Sequence, residues 1–242
     1  MHPPLYISLL FGLLILALLM AYLYGVQYGL KKMGLSTSQF IRRFAWMTLP
    51  LFGWFILSGG LSYAGFFTNF STIPPRFAIA LVVPMLCIIA FMSSSTGRAI
   101  IAHLPAHWLV YAQVFRIPME LILWALFLEQ VIPVQMTFEG FNYDVLTAIF
   151  ALPIGYFCFT RSRLHKRWAI AWNVLGLGLV TTIVTVAILS APTPFRVFHN
   201  APANTFIAYL PYIWLPGFVV PMAYLMHFAS LRQLLGNKQS HK

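Results

Sequence analysis

Along the chain, apolar residues come in long runs separated by short polar or proline-rich joints. The runs cover about 5–30, 44–67, 77–93, 108–132, 145–160, 168–190 and 206–231. A helix needs about 20 apolar residues to cross the hydrocarbon core of a bilayer. Most of the runs reach that length, and those at 77–93 and 145–160 fall short of it. The pattern predicts an all-α fold: a polytopic membrane bundle of seven transmembrane helices, built as a single domain over residues 1–242. No stretch between the runs is long enough to bury a core of its own. The first run lacks a basic leader and is too long for a signal-peptide core, so it reads as a retained span.

Composition agrees with this pattern. Hydrophobic residues make up 60% of the chain and charged residues 8%, against about 25% charged in soluble domains. A chain so poor in charge cannot cover a water-facing surface. The few basic residues choose the orientation, because cytoplasmic connections collect Lys and Arg. Lys31, Lys32, Arg42 and Arg43 fall in the first connection, Arg98 in the third, and Arg161, Arg163, Lys166 and Arg167 in the fifth. Arg232, Lys238 and Lys242 fall at the C-terminal tail, whereas only Arg76 and Arg196 fall on the other face. The N-terminus is therefore expected outside and the C-terminus in the cytoplasm, in a multi-pass protein of the bacterial inner membrane. The net charge of +11 is then a cytoplasmic rim facing anionic lipid. Membrane lipids are the expected partners and nucleic acid is not. A second copy of the chain, or a cytoplasmic protein on the basic face, remains open.

The exceptional charges are Arg116 and Glu120 in "QVFRIPMELILW". Counted from Trp108, they lie roughly 12 and 18 Å into the span at 1.5 Å per residue. An unpaired charge at that depth is costly, so each needs a partner. Residues four apart on a helix can meet, and Gln113 and Trp124 fall on the same stripe. Gln113, Arg116 and Glu120 thus form a candidate centre for an ion, a proton or a polar solute, or else a structural clasp. The outer connection "IPVQMTFEGFNYD" alternates polar and aromatic residues around Gly140 and reads as a hairpin or cap. Glu139, Asn142 and Asp144 there, with Arg196 and His199 in "APTPFRVFHNAPAN", are candidates for an outer lid or ligand site. Asn173 and His227 are single polar residues in the inner halves of their spans and could line an inward path from Arg116.

Other chemistry is poorly supplied. Cys87 and Cys158 both sit in apolar runs and read as small buried hydrophobes. His103 and His107 flank Pro105 without a carboxylate or thiol nearby, so no metal site is expected. No nucleophile elbow, zinc-binding or phosphate-loop motif is present, and the balance leans away from an enzyme. "VVPMLCIIAFMS" at 82–93 matches "VVPMAYLMHFAS" at 219–230, and "RRFAW" at 42–46 parallels "KRWAI" at 166–170. These matches suggest a parallel repeat of three spans, one inverting span, then three, with Pro84 and Pro221 kinking equivalent helices.

Seven spans with an outside N-terminus invite comparison with microbial rhodopsins, but every lysine lies outside the spans, which excludes covalent retinal. No cofactor is expected, and noncovalent lipid or carotenoid in the aromatic grooves stays open. The stretches "QVFRIPMELILW", "IPVQMTFEGFNYD", "AWNVLGL", "APTPF" and "LPYIWLPGFVVP" resemble an uncharacterised family of bacterial, Bacteroidetes-type seven-helix membrane proteins with an MTFEGxNxD-like outer loop. The likeness covers the second half of the chain and implies the seven-helix fold without an activity. The leading functional expectation is transport of a small solute, ion or proton through Arg116 and Glu120. The alternatives are a sensor with its site under the 133–144 segment and, third, a lipid-modifying enzyme.

Overall fold

The computed structural model describes residues 3–236, and helix is the only regular structure among them. Of the hairpin or cap expected between residues 132 and 144, the hairpin is absent; the segment is built from a short 3-10 turn at Val134–Met136 and tight turns. Lys238 and Lys242 lie outside the described residues.

Two long apolar helices come first, α1 (Leu5–Lys31) and α2 (Thr37–Tyr63), of 27 residues each. Each is about 40 Å long at 1.5 Å per residue. α2 starts earlier than the apolar run implied, because Ser36 and Gln39 form a capping box that satisfies the exposed N–H groups of the first turn. Lys31, Arg42 and Arg43 therefore belong to helices and not to the joint between them. α3 (Ala78–Ser93) ends in a 79° turn into α4 (Ser95–His103). Ser94 caps α4 by accepting from the Gly97 amide at 2.9 Å. Gly97 itself makes the turn possible, since a Cβ there would lie 2.0 Å from the Phe91 carbonyl oxygen. The sharp bend is thus at Ser94 and not at Pro84, which stays inside α3.

The fourth rod, Ala106–Leu128, joins α5 (Ala106–Tyr111) to α6 (Arg116–Leu128) through a 3-10 stretch at Ala112–Phe115. Pro118 explains the break: it has no N–H for the Val114 carbonyl and its ring crowds that oxygen. α7 (Val145–Gly155) contains Pro153 and loosens into a π turn at Tyr156–Thr160. α8 (Arg167–Ser190) is regular, and α9 (Val220–Gly236) follows a π turn at Leu215–Val219. Pro221 therefore stands at the head of α9 and Pro84 within α3, so the matched stretches take different local forms.

Contacts show how the rods alternate. Near the start of α1, Tyr6 reaches Glu129 just past α6 at 3.3 Å, and Ser8 reaches Tyr212 just before α9 at 3.1 Å. At its other end, Val26 and Leu30 pack on Ile100 of α4. Arg232 near the end of α9 donates to the Met92 carbonyl at 2.7 Å, and Gln233 to that of Leu104 at 2.8 Å. One end of the bundle thus carries segments 129–144 and 191–214, and the other carries α4 and the tail of α9. The core holds Phe11, Tyr212 and Phe206, with Phe11 stacked on Tyr212 at 5.2 Å between ring centres. Leu9, Leu13, Leu16, Leu49, Ile56 and Leu86 point outward and are exposed, which suits contact with lipid chains. Among the described residues, five helices are long and apolar enough to cross a membrane, or six if the bent α3–α4 pair counts as one span; Val145–Thr160 is a shorter apolar helix.

The Gly97 geometry has a measurable consequence. Gly97→Ala is expected to destabilise the protein by about 1–3 kcal/mol or more through backbone overpacking. Gly178→Ala, whose Cβ would meet nothing within 4 Å, should be neutral or slightly stabilising through helix propensity. Thermal unfolding of the two variants in detergent checks the pair.

Candidate functional site

Arg116 and Glu120 are buried, 3% and 5% exposed, on one face of α6. They do not pair with each other. Arg116 forms its ion pair with Asp144, through Nη1 to Oδ1. Glu120 accepts from the Phe138 amide at 2.7 Å through Oε1 and from the Asn142 side-chain amide through Oε2. The expected intrahelical clasp is therefore replaced by three bonds to the 129–144 segment. The reason is physical. Arg preceding Glu by four is the less favourable order along a helix, and Pro118 disturbs the turn between them. The 129–144 segment meanwhile offers a carboxylate to Arg116 and two N–H donors to Glu120, which replace the water those buried charges have lost. Arg116–Asp144 is the one salt bridge among the described residues.

The same stripe continues in both directions. Trp124 donates to Glu139 at 2.6 Å. Gln113 donates to the Ala223 carbonyl of α9 at 3.2 Å. Every polar member of the stripe is thus bound to another element. The outer segment is in turn tied to 191–214. Gln135 and Asn200 exchange side-chain hydrogen bonds at 2.8 and 3.1 Å, and Gln135 also donates to Ser190 at 3.0 Å. Arg196 and His199 do not join the carboxylates. Arg196 donates to the carbonyls of Phe198 and Asn200 at 2.7 Å each, riveting its own loop, and His199 is exposed. Glu139 is likewise taken by Trp124. Of the five outer candidates, Asn142 and Asp144 reach the centre, and Glu139, Arg196 and His199 do not.

Deeper in the bundle, Asn173 and His227 meet. Asn173 Oδ1 lies 2.8 Å from His227 Nδ1, and Asn173 Nδ2 donates to the Ala169 carbonyl at 2.8 Å and to Ser230 at 3.0 Å. A carbonyl can only accept, so the Asn173 amide has one orientation, and its oxygen requires that His227 Nδ1 carry the proton. In the neutral ring, Nε2 is then a bare acceptor, and it is buried without a partner. Gly176 admits the ring: a Cβ there would sit 2.6 Å from Nε2 and 3.0 Å from the Thr147 methyl. Trp172 lies 5.3 Å from His227 between ring centres and donates to the Thr147 carbonyl at 3.1 Å.

Buried atoms left without a partner are rare in folded proteins. Here Gln113 Oε1, Arg116 Nε and Nη2, Thr147 Oγ1 and His227 Nε2 are all of that kind. They belong to residues linked by Ala223, one turn before His227 on α9, and by Gly176. The buried polar side chains thus form two groups, Arg116 with Asp144 and His227 with Asn173 and Ser230, and Gln113, bonded to the Ala223 carbonyl one turn before His227, stands between them in the sequence of contacts. Thr147, Gly176 and Ser230 were not singled out from the sequence, where a small residue in an apolar helix carries no distinguishing signal. Beside Arg116 lies a cavity of about 250 Å3. Its wall is apolar except for one patch of Arg116, Glu120, Asn142 and Asp144.

Set against known protein families, characterised proteins and solved structures, the chain matches none.

The pairing makes a specific prediction. Removing one partner of a buried ion pair strands the other, at about 3–5 kcal/mol. Arg116→Met and Asp144→Leu should each destabilise by that order, and the double variant by much less than their sum. The coupling energy for 116 with 144 should exceed that for 116 with 120. The opposite ranking, measured by denaturation of the single and double variants, contradicts the arrangement described here.

Proposed function

We propose that the chain is a seven-crossing protein of the bacterial inner membrane, with its N-terminus outside, that moves a proton, alone or coupled to a small solute, through the centre at Arg116. The seven-crossing reading takes α4 as lying along the cytoplasmic face. It takes α3 and Val145–Thr160 as short crossings, with α3 of 16 residues about 24 Å long, a mismatch that a bilayer accommodates by local thinning. Membership of the uncharacterised seven-helix family belongs to the same proposal and brings no activity with it.

The observation that carries the transport reading is the presence of buried, unpartnered polar atoms on Gln113, Arg116, Thr147 and His227 in helices that also hold a buried ion pair. Intramembrane ionisable groups mark ion and proton pathways more often than they mark simple packing. In this reading a proton from outside joins Asp144 and breaks its pairing with Arg116. The freed guanidinium turns toward Glu120, four residues along α6. The proton passes on water oriented by the unpartnered Gln113 Oε1 to His227 Nε2, which accepts it while Nδ1–H remains bonded to Asn173. Release toward Ser230 and the cytoplasmic end of α9 restores the neutral ring. Breaks in regular helix at Ala112–Phe115, Tyr156–Thr160 and Leu215–Val219 supply places where rods can flex, since such interruptions often mark functional hinges. A sensor with its ligand beneath the outer segment is the second reading; Asn142 and Asp144, which give that segment a share of the cavity wall, favour it.

Proteoliposomes containing an internal pH dye decide between these readings. Wild-type protein should collapse an imposed pH gradient; Glu120→Gln, which removes the carboxylate that receives the freed guanidinium, and His227→Ala, which removes the proton acceptor, should each slow the flux at least about tenfold. A folded wild-type protein that leaves the gradient intact contradicts the transport reading.

A further inference from the structure

The cavity beside Arg116 is walled by α3, α6, α8 and the approach to α9, and apart from its single polar patch it offers nothing to a water-soluble molecule. Its size is informative. An apolar cavity of about 150 Å3 accommodates benzene, so about 250 Å3 takes a body on the order of ten carbon atoms. The wall is not closed. Val82 on α3 and Phe195 in the 191–214 connection both line the cavity while being 50% and 40% exposed. An occupant can therefore enter between the rods from the surrounding hydrocarbon and leave the rest of a longer chain outside.

The patch specifies the other end of the occupant. Arg116 lines the cavity and carries two donors, Nε and Nη2, without an acceptor in the protein, so a small turn of its side chain would bring them to an oxygen that accepts. Two carboxylates, Glu120 and Asp144, stand against the one guanidinium, so when ionised the patch is net negative. An anionic head is repelled, and an ammonium head leaves the Arg116 donors unsatisfied. A hydroxyl group meets both demands: it accepts from Arg116 and donates to Glu120 or Asp144.

We propose that this cavity is a binding site for a long-chain or isoprenoid alcohol, its hydroxyl on the Arg116–Glu120–Asp144 patch and its apolar chain between α3 and α8. The proposal stands on the cavity and its patch, and not on the proton route. A neutral hydroxyl head distinguishes the ligand from fatty acids and phospholipids, which carry charge. A site built to hydrogen-bond a hydroxyl discriminates strongly against an analogue that lacks it, because its own buried polar groups are then left unpaired.

The test uses the full chain in lipid nanodiscs and tritiated dodecanol, with empty discs subtracted for partition into lipid. Saturable binding is expected, with unlabelled dodecanol competing at concentrations at least about tenfold lower than dodecane or dodecanoate. Val184→Phe, which places a ring in the cavity from α8, should abolish that binding. Leu175→Phe, on the exposed face of the same helix, should leave it unchanged. The proposal is overturned if saturable binding is absent, if dodecane or dodecanoate competes as well as dodecanol, or if Val184→Phe binds normally. Because binding is read without a pH gradient, a wild-type protein that conducts no protons leaves this result independent.

Discussion

The Arg116–Asp144 ion pair is the constraint around which the rest of the structure is arranged. A guanidinium this deeply buried is tolerated only when an opposite charge and good hydrogen-bond geometry replace the water it has lost. α6 cannot supply that charge in a favourable position, since Glu120 stands on the wrong side of Arg116 along the helix. The charge comes instead from the residue that precedes α7. Asp144 can reach inward only if the segment before it folds down over the bundle. Glu120 holds that segment through Phe138 and Asn142, and Gln135 fastens it to the neighbouring connection through Asn200 and Ser190. The cap formed by residues 129–144 is therefore a consequence of where two charges were placed on one helix.

The polar interior also explains why so many helices are interrupted. Pro118, Pro153 and Pro216 lie close to the 3-10 and π segments, and each removes a backbone donor from the helical ladder. These irregular turns flank the centre: one immediately precedes Arg116, and another leads into α9, which carries Ala223 and His227. In a lipid environment irregular backbone survives only where protein or a hydrated cavity satisfies it. The 3-10 stretch at Ala112–Phe115 contains Gln113 and adjoins Arg116, and both side chains carry partnerless polar atoms.

Much of the helical layout was legible in the sequence, because length and unbroken apolarity are strong signals. The regions 5–30, 108–132 and 168–190 correspond closely to α1, Ala106–Leu128 and α8. Boundaries shifted where local chemistry overrode apolarity: the Ser36 capping box draws α2 back to Thr37, and the last helix reaches beyond residue 231 to Gly236. The charged residues of the centre were also visible, since Arg116 and Glu120 stand out in an apolar run. Their partners were not. Sequence spacing shows which residues share a helix face, so it favoured a bond within the helix. It says nothing of which loop will fold over that face. Arg196 misled for the same reason: it shares a side of the bundle with the carboxylates but spends its donors on its own loop. Asn173 and His227, on separate spans, carry no sequence cue to their direct hydrogen bond.

The most direct measurement is amide hydrogen exchange across residues 129–144 in lipid nanodiscs, comparing wild type with Glu120→Leu. The Phe138 amide donates to Glu120, and the segment it belongs to is held down by that carboxylate together with the Arg116–Asp144 pair. The account predicts strong protection at Phe138 and Asn142 in the wild type. It predicts loss of that protection in the variant, with exchange in α1 and α8 unchanged. Rapid wild-type exchange at Phe138, or protection that survives removal of the Glu120 carboxylate, would show that the outer segment is not anchored on the buried charges.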